Sequence, residues 1–199
     1  MIATTKAPLK IYLIRHGETE WSLSGQHTGT TDIALTEHGE RQAFALGARL
    51  SSVDFARIFP SPRQRAQQTY TLSRLKPTSA IEADLAECDY GDYDGQRSVG
   101  IRKTRPGWKI FRDVCPNGES PAQVSARADR FIARLRRLLR NIALFTHSHF
   151  CSGLIARWIG LPLSNAENFP LGTASVSVLS YATNHPDVPV IALLNSNES

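Results

Sequence analysis

Short apolar runs recur along this chain, each closing on polar or turn-forming residues, and the stretches between them carry apolar side chains at helical spacing. The run Lys10 to Ile14 is apolar, partly β-branched, and opens into Arg15-His16-Gly17. That pattern reads as a buried strand running into a loop. Ala56 to Phe59 ends in Pro60-Ser61-Pro62, and Ile142 to Phe145 ends in Thr146-His147-Ser148. Val176 to Tyr181 and Val188 to Leu194 complete the predicted strands.

Helical patterns lie between them. Thr36 is placed to cap a helix whose first turn carries Glu37, with Ala43, Leu46, Gly47 and Leu50 on one face. From Pro121 to Arg140 the residues Val124, Ala128, Phe131, Ile132, Leu135, Leu138 and Leu139 keep helical phase. Arg127, Arg130, Arg134 and Arg137 form the other side, read as a solvated face. Further helices are expected after Pro62 and, short, around Leu154 to Ile159. Strands and helices in alternation predict an α/β fold with a mainly parallel sheet. Ligands gather beyond the carboxyl ends of such strands. Three predicted strands end in loops bearing Arg15-His16, Ser61 followed by Arg63 and Arg65, and His147.

The 199 residues are 41% apolar, enough for one sizeable core, so a single domain over residues 1–199 is expected. A net charge of +5, from 23 basic and 18 acidic residues, suits an anionic ligand, a nucleic acid or a mere bias in solvated faces, and does not choose among them. No interleaving of aromatic and basic residues and no helix-turn-helix pattern favours nucleic acid. Cys88, Cys115 and Cys151 are odd in number and lack C-x-x-C spacing, which argues against a disulfide framework and fits a reducing cytoplasm. The first ten residues lack the apolar stretch of a leader peptide, and no run approaches the roughly 18 apolar residues that span a bilayer, so an intracellular protein without a membrane partner is expected.

Candidate chemistry centres on His16. Gly17 lets a ligand approach closely, and the Arg15 guanidinium offers a fork of donors matched to phosphate oxygens. A neutral imidazole is a competent nucleophile toward phosphorus, and phosphoryl transfer needs little else beyond positioning and positive charge. Arg15, Arg65 and a hydrogen-bonding His147 are the expected sources. A leaving alkoxide needs a proton, and the acid-rich stretch Asp84, Glu87, Asp89, Asp92 and Asp94 holds two equally eligible donors, Glu87 and Asp89. His147 and His149 alternate as metal ligands do in a strand, but no carboxylate cluster accompanies them, which argues against zinc. Of Trp21, Trp108 and Trp158, at least two are assigned to core or lid packing, and Cys88 is read as a small buried hydrophobe.

Four segments together carry a resemblance. Arg15-His16-Gly17-Glu18-Thr19 resembles the RHGE signature, ending in Ser or Thr, of the histidine phosphatase superfamily, whose fold is phosphoglycerate mutase-like. Ser61 through Thr69 is similar to that family's SPxxRAxQT segment, Leu85 through Gly95 to its L-x-E-x-x-x-G-x-x-E-G stretch, and Thr146-His147-Ser148-His149 to the strand delivering its second histidine. The resemblance implies a three-layer α/β/α sandwich and a phosphohistidine formed on His16. It assigns Glu87 rather than Asp89 as proton donor and places Arg15, Arg65 and His147 on the phosphate. It also implies a cap over the site within residues 88–120, and no metal or other cofactor. Three positions depart from the pattern: Ser22 stands where a phosphate-touching Asn is common, Ser148 replaces a Gly, and Asp94 replaces a Glu.

The stretches Trp21 to Gly29, Trp108 to Arg112 and Cys115 to Ser120 resemble the branch with sedoheptulose bisphosphatase-like enzymes, as does His149. Ser22 is therefore expected on the phosphate, and Gln26, Thr28, Gly29 and His149 on the rest of a sugar phosphate or bisphosphate. Arg97 to Arg105 holds four cations and no acid, and its place in the cap suggests Arg102 and Lys103 as holders of a distal anion. The expected partner is a small phosphorylated metabolite, and assembly into a homo-oligomer stays open. A phosphoglycerate mutase and a non-catalytic phospho-ligand-binding module are the competing readings.

Overall fold

The computed structural model describes residues 9–77 and 80–197, so most of the stretch searched for a leader peptide lies outside the described residues. In chain order the elements are β1 (Ile11–Arg15), α1 (Glu20–Ser24), α2 (Glu37–Leu50), β2 (Arg57–Pro60), α3 (Gln64–Ser73), α4 (Ser98–Thr104), α5 (Pro121–Leu135), β3 (Ile142–Thr146), α6 (Ser148–Trp158), β4 (Val176–Ala182) and β5 (His185–Ser196). One sheet runs in the order β2-β3-β1-β4-β5. Its β2, β3 and β1 are mutually parallel, β4 is antiparallel to β1, and β5 is antiparallel to β4. The last reversal has a local cause: β4 and β5 meet at Ala182 and His185 across two intervening residues, a link that only antiparallel strands can make.

The sheet is buried on both faces because its central strands are apolar at consecutive positions. Ile11, Leu13, Ile142 and Leu144 point into a core shared with Phe131 and Leu135 of α5 and Phe150 and Leu154 of α6. Their neighbours Ile14, Ala143 and Phe145 face a second core with Leu46 and Leu50 of α2 and Ile58 of β2. This is the expected three-layer sandwich, with α5 and α6 on one face and α2 on the other. Thr36 caps α2 by accepting from the Gly39 N–H, and Ala43, Leu46, Gly47 and Leu50 are all buried as their spacing requires.

Two helices differ from the sequence reading. α5 stops at Leu135 rather than near Arg140, because the chain must turn to enter β3 at Ile142, and Leu139 is left 67% exposed. α6 begins at Ser148, immediately after His147, and not near Leu154. The arginine face of α5 is also less free than expected. Arg127 is held in a bidentate pair with Glu119 at 2.9 and 2.7 Å and donates to the carbonyls of Asp84 and Ala86 at 2.9 and 2.7 Å. Arg130 and Arg134 pair with Asp84 and Glu82, so this face anchors the segment before Glu87. Trp108 and Trp158 are buried, as are Cys88, Cys115 and Cys151, all free thiols. No helix among the described residues is long and apolar enough to cross a membrane.

Candidate active site

Parallel register builds the centre of the site. Arg15 of β1 stands opposite Thr146 of β3, so the next residues out, His16 and His147, leave the sheet side by side, with ring centroids 5.3 Å apart. The His16 N–H donates to the Thr146 carbonyl at 3.0 Å, and the Ser61 N–H beyond β2 donates to the Phe145 carbonyl at 2.8 Å. Three strand ends therefore present His16, His147 and Ser61 at one edge, where the sequence placed them.

The orientation of each ring follows from its contacts. His16 Nδ1 lies 2.7 Å from the Gly17 carbonyl, which can only accept, so a neutral His16 carries its proton on Nδ1 and keeps the Nε2 lone pair free. Gly17 is required there: a Cβ would come within 2.5 Å of the Gly39 carbonyl oxygen. Burial, together with the Arg15 and Arg65 charges, holds His16 well below the usual imidazole range. His147 is lowered by the same burial and by Arg65 and His16. Its Nε2 is 2.7 Å from the Ser61 hydroxyl, while its Nδ1 is buried without a partner.

The cations are framed by backbone. Arg15 Nη1 donates to the Leu171 carbonyl at 2.6 Å. Arg65 is fully buried in α3 and donates to the carbonyls of Thr31 at 3.1 Å and of Thr28 and Gly29 at 2.7 and 3.3 Å. The Nε atoms of Arg15 and Arg65 are, like His147 Nδ1, buried and unpaired.

Glu87 is 6% exposed and is not a member of a solvated acidic loop. Its carboxylate accepts from the N–H groups of Cys88 at 3.0 Å, Phe150 at 2.9 Å and His149 at 3.1 Å, the last two in the first turn of α6. Thr146 donates to the Leu85 carbonyl at 2.7 Å and ties this segment to β3. Asp89 spends its side chain on the Gly91 N–H at 2.9 Å, so the two acids that the sequence left equal are separated by their contacts.

A cavity of about 270 Å³ opens over this centre, lined by Arg15, His16, Glu87 and Tyr90, with Ser22, Gln26, Thr28, Ser148 and His149 among its other walls. The Ser22 hydroxyl is engaged in a capping box, donating to the Thr19 carbonyl at 2.8 Å and accepting the Thr19 N–H at 2.9 Å. Gln26 donates to the Gly95 carbonyl at 2.8 Å. Gly29 does not line the cavity: a Cβ there would meet the Cys88 carbonyl oxygen at 2.7 Å, so its place is close packing and its carbonyl serves Arg65. Arg102 lines a second cavity, of about 430 Å³, which shares Ser148 and His149 with the first, whereas Lys103 is exposed and lines neither. His27, Tyr90 and Ser98 line the first cavity and were not singled out from sequence. All three lie inside stretches named from the sequence, Trp21 to Gly29, Leu85 to Gly95 and Arg97 to Arg105, but nothing in their spacing marked them. No group of His, Cys, Asp or Glu able to hold a metal ion occurs among the described residues.

Comparison with known proteins agrees with this geometry. The family model of the histidine phosphatase superfamily (branch 1) matches residues 11–194. An acid phosphatase of Mycobacterium tuberculosis is 36% identical over 188 residues, 92% of each chain. A sedoheptulose 1,7-bisphosphatase of Saccharomyces cerevisiae is 39% identical over 183 residues, 75% of this chain and 67% of that one. The solved structure of an open reading frame of Mycobacterium tuberculosis superposes with a TM-score of 0.88 at 36% identity, covering 95% of this chain and 98% of that one. With its motifs, its sheet and these likenesses in agreement, the chain belongs to branch 1 of the histidine phosphatase superfamily.

Proposed function

We propose that the protein hydrolyses small phosphate monoesters of the sugar phosphate or bisphosphate class through a phosphohistidine on His16. The observation that carries this reading is three of the buried nitrogens without partners, Arg15 Nε, Arg65 Nε and His147 Nδ1, the last a donor when its Nε2 accepts from the Ser61 hydroxyl, near a histidine whose Nε2 lone pair is free. A buried unpaired donor costs about 1–3 kcal/mol, so three in one place call for a ligand rich in acceptor oxygens. A phosphoryl group supplies them.

In the first step His16 Nε2 attacks phosphorus, an N–P bond forms and the ester P–O bond breaks. Arg15, Arg65 and His147 hold the equatorial oxygens, and Glu87 gives the leaving oxygen its proton. Water then attacks the phosphohistidine, Glu87 takes the proton from that water, and the N–P bond breaks to release phosphate and neutral His16. Residues 88–120 act as the cap, since Tyr90 and Ser98 wall the first cavity and Arg102 and Phe111 the second. Three free buried cysteines fit a reducing cytoplasm.

Rapid-quench turnover with a radiolabelled sugar phosphate tests the reading. Acid-labile phosphate should accumulate on the wild-type protein and be absent from His16→Ala. Retention of even a tenth of wild-type kcat by a folded His16→Ala would remove His16 as nucleophile.

A further inference from the structure

The wall of the first cavity away from the phosphate centre carries no cation. It is built from Gln26, Thr28, Ser98 and three rings, His27, Tyr90 and His149, packed edge and face: His27 lies 4.9 Å from Tyr90 and 5.6 Å from His149, and Phe111 stands edge-on to His149 at 5.4 Å. Burial lowers both imidazoles, His27 to about 4, with the neighbouring His149 as the next cause. Both are neutral near pH 7, and each carries one donor and one acceptor nitrogen.

The arrangement of those protons is fixed at one point. Tyr90 is 1% exposed, and its hydroxyl lies 2.5 Å from His149 Nδ1, the only hydrogen-bond partner of that hydroxyl among the described residues. Burial raises Tyr90 well above the ordinary phenol range, so it keeps its proton. The phenol proton then needs an acceptor, and His149 Nδ1 is the atom in reach. With Nδ1 accepting, the proton of a neutral His149 must sit on Nε2. That nitrogen has no partner among the described residues, and the side chain lines both cavities at their junction.

Building on the phosphatase reading, we propose that Tyr90 and His149 form a specificity pair in which Tyr90 O–H sets the His149 tautomer and His149 Nε2–H donates to an uncharged hydroxyl oxygen of the leaving group. Glu87, which protonates the ester oxygen, is itself held by the His149 backbone N–H at 3.1 Å. The hydroxyl that His149 reads therefore belongs to the part of the leaving group near the scissile ester, and the pair selects polyhydroxy esters over alkyl esters of the same size. A donor built for a hydroxyl is left unpaired by the analogue that lacks one, which is how one site discriminates strongly between near-isosteres.

The test compares glycerol 1-phosphate with n-propyl phosphate, two alkyl esters that differ in hydroxyls. Wild type should prefer the glycerol ester in kcat/KM by roughly tenfold, the value of about one neutral hydrogen bond. His149→Phe should abolish the preference and Tyr90→Phe should reduce it severalfold, each read as the ratio of kcat/KM for the two esters within the same variant. Imidazole nitrogen chemical shifts in 15N-histidine-labelled protein should report the Nε2–H tautomer at His149 and its loss in Tyr90→Phe, independently of activity. Equal losses on both esters, no preference in wild type, or an Nδ1–H tautomer would each overturn the pair. Hydrolysis of neither ester nor of p-nitrophenyl phosphate by wild type would overturn the phosphatase reading itself, and the pair with it.

Discussion

Arg65 and Asp94 do not touch, yet the one is framed by what the other holds. Asp94 accepts the Gly29 N–H at 2.7 Å, the Thr31 N–H at 3.0 Å and the Thr31 hydroxyl at 2.7 Å, while the carbonyls of Thr28, Gly29 and Thr31 accept from Arg65. Burial raises the Asp94 carboxyl, but the hydrogen bonds from Gly29, Thr31 and Thr30 outweigh it and leave it below the usual range. The shorter side chain at this departure from the family pattern thus ties residues 29–31 down, and the loop aims the guanidinium.

Asp94→Ala should therefore weaken phosphate binding without removing any group that contacts it. Hydrogen bonds to a charged acceptor are worth about 1.5–3 kcal/mol each, and a loosened loop passing on half of one would raise the inhibition constant of inorganic phosphate roughly threefold to tenfold. Asp94→Asn, which keeps an acceptor oxygen for Gly29, should lose less. Unchanged inhibition in a folded Asp94→Ala would show that Arg65 holds its place without the loop.

Glu87→Gln should divide substrates by their leaving groups. The amide still offers an oxygen but has no proton to give, so alkyl phosphates should slow by about 10²–10⁴-fold. Phosphohistidine formation from p-nitrophenyl phosphate, whose leaving group needs no proton, should be nearly spared, and burst kinetics resolve that step. Equal slowing of the first step for both would point away from Glu87 as the donor.

Most of the strand framework was legible in the sequence because apolar runs buried on both faces have few alternatives. The convergence of Arg15, His16, Ser61, Arg65 and His147 was legible for the same reason, since parallel strands deliver their carboxyl-end loops to one edge. What escaped has physical causes. The α6 start was hidden because Ser148-His149 gives no capping signal, although this turn holds Glu87. The half-buried pairing of Arg127 with Glu119 looks in sequence like any solvated arginine, and Gly29 looks like a binding loop until its contact with Cys88 is seen. The neutral wall of His27, Tyr90 and His149 is a product of packing between remote segments, which carries no local signal.

Arg102 and Lys103 are adjacent in sequence and both exposed, but of the two only Arg102 lines one of the two cavities, which gives a sharp test of the cationic segment. Arg102 donates through Nε to the Trp108 carbonyl at 3.0 Å and lines the second cavity, while Lys103 is exposed. Arg102→Ala should lower kcat/KM for a sugar bisphosphate severalfold and leave p-nitrophenyl phosphate unaffected, whereas Lys103→Ala should change neither. Added salt should weaken the Arg102 contribution, with screening over about 8 Å at physiological ionic strength. A loss on both substrates would make Arg102 a structural support for Trp108.

Four histidines with lowered folded-state pKa, His16, His27, His147 and His149, give the protein an acid sensitivity with a defined sign. In the unfolded chain each binds a proton near 6.5, while in the fold His27 does so only at about 4. Below pH 6.5 the unfolded state therefore holds more protons, and stability falls as pH drops, by up to about 1.4 kcal/mol per pH unit for each group still neutral in the fold. The Asp94 contribution has the same sign but acts below its ordinary value of 3.8, outside this window. Urea midpoints should thus be level from pH 7 to 8 and decline steadily from pH 6.5 to 4.5. His27→Gln, which keeps a neutral polar group beside Ser98, should flatten that decline by about one group's share. A midpoint constant across the window would mean that these rings take up protons in the fold at the same pH as in the unfolded chain, so that burial does not lower them.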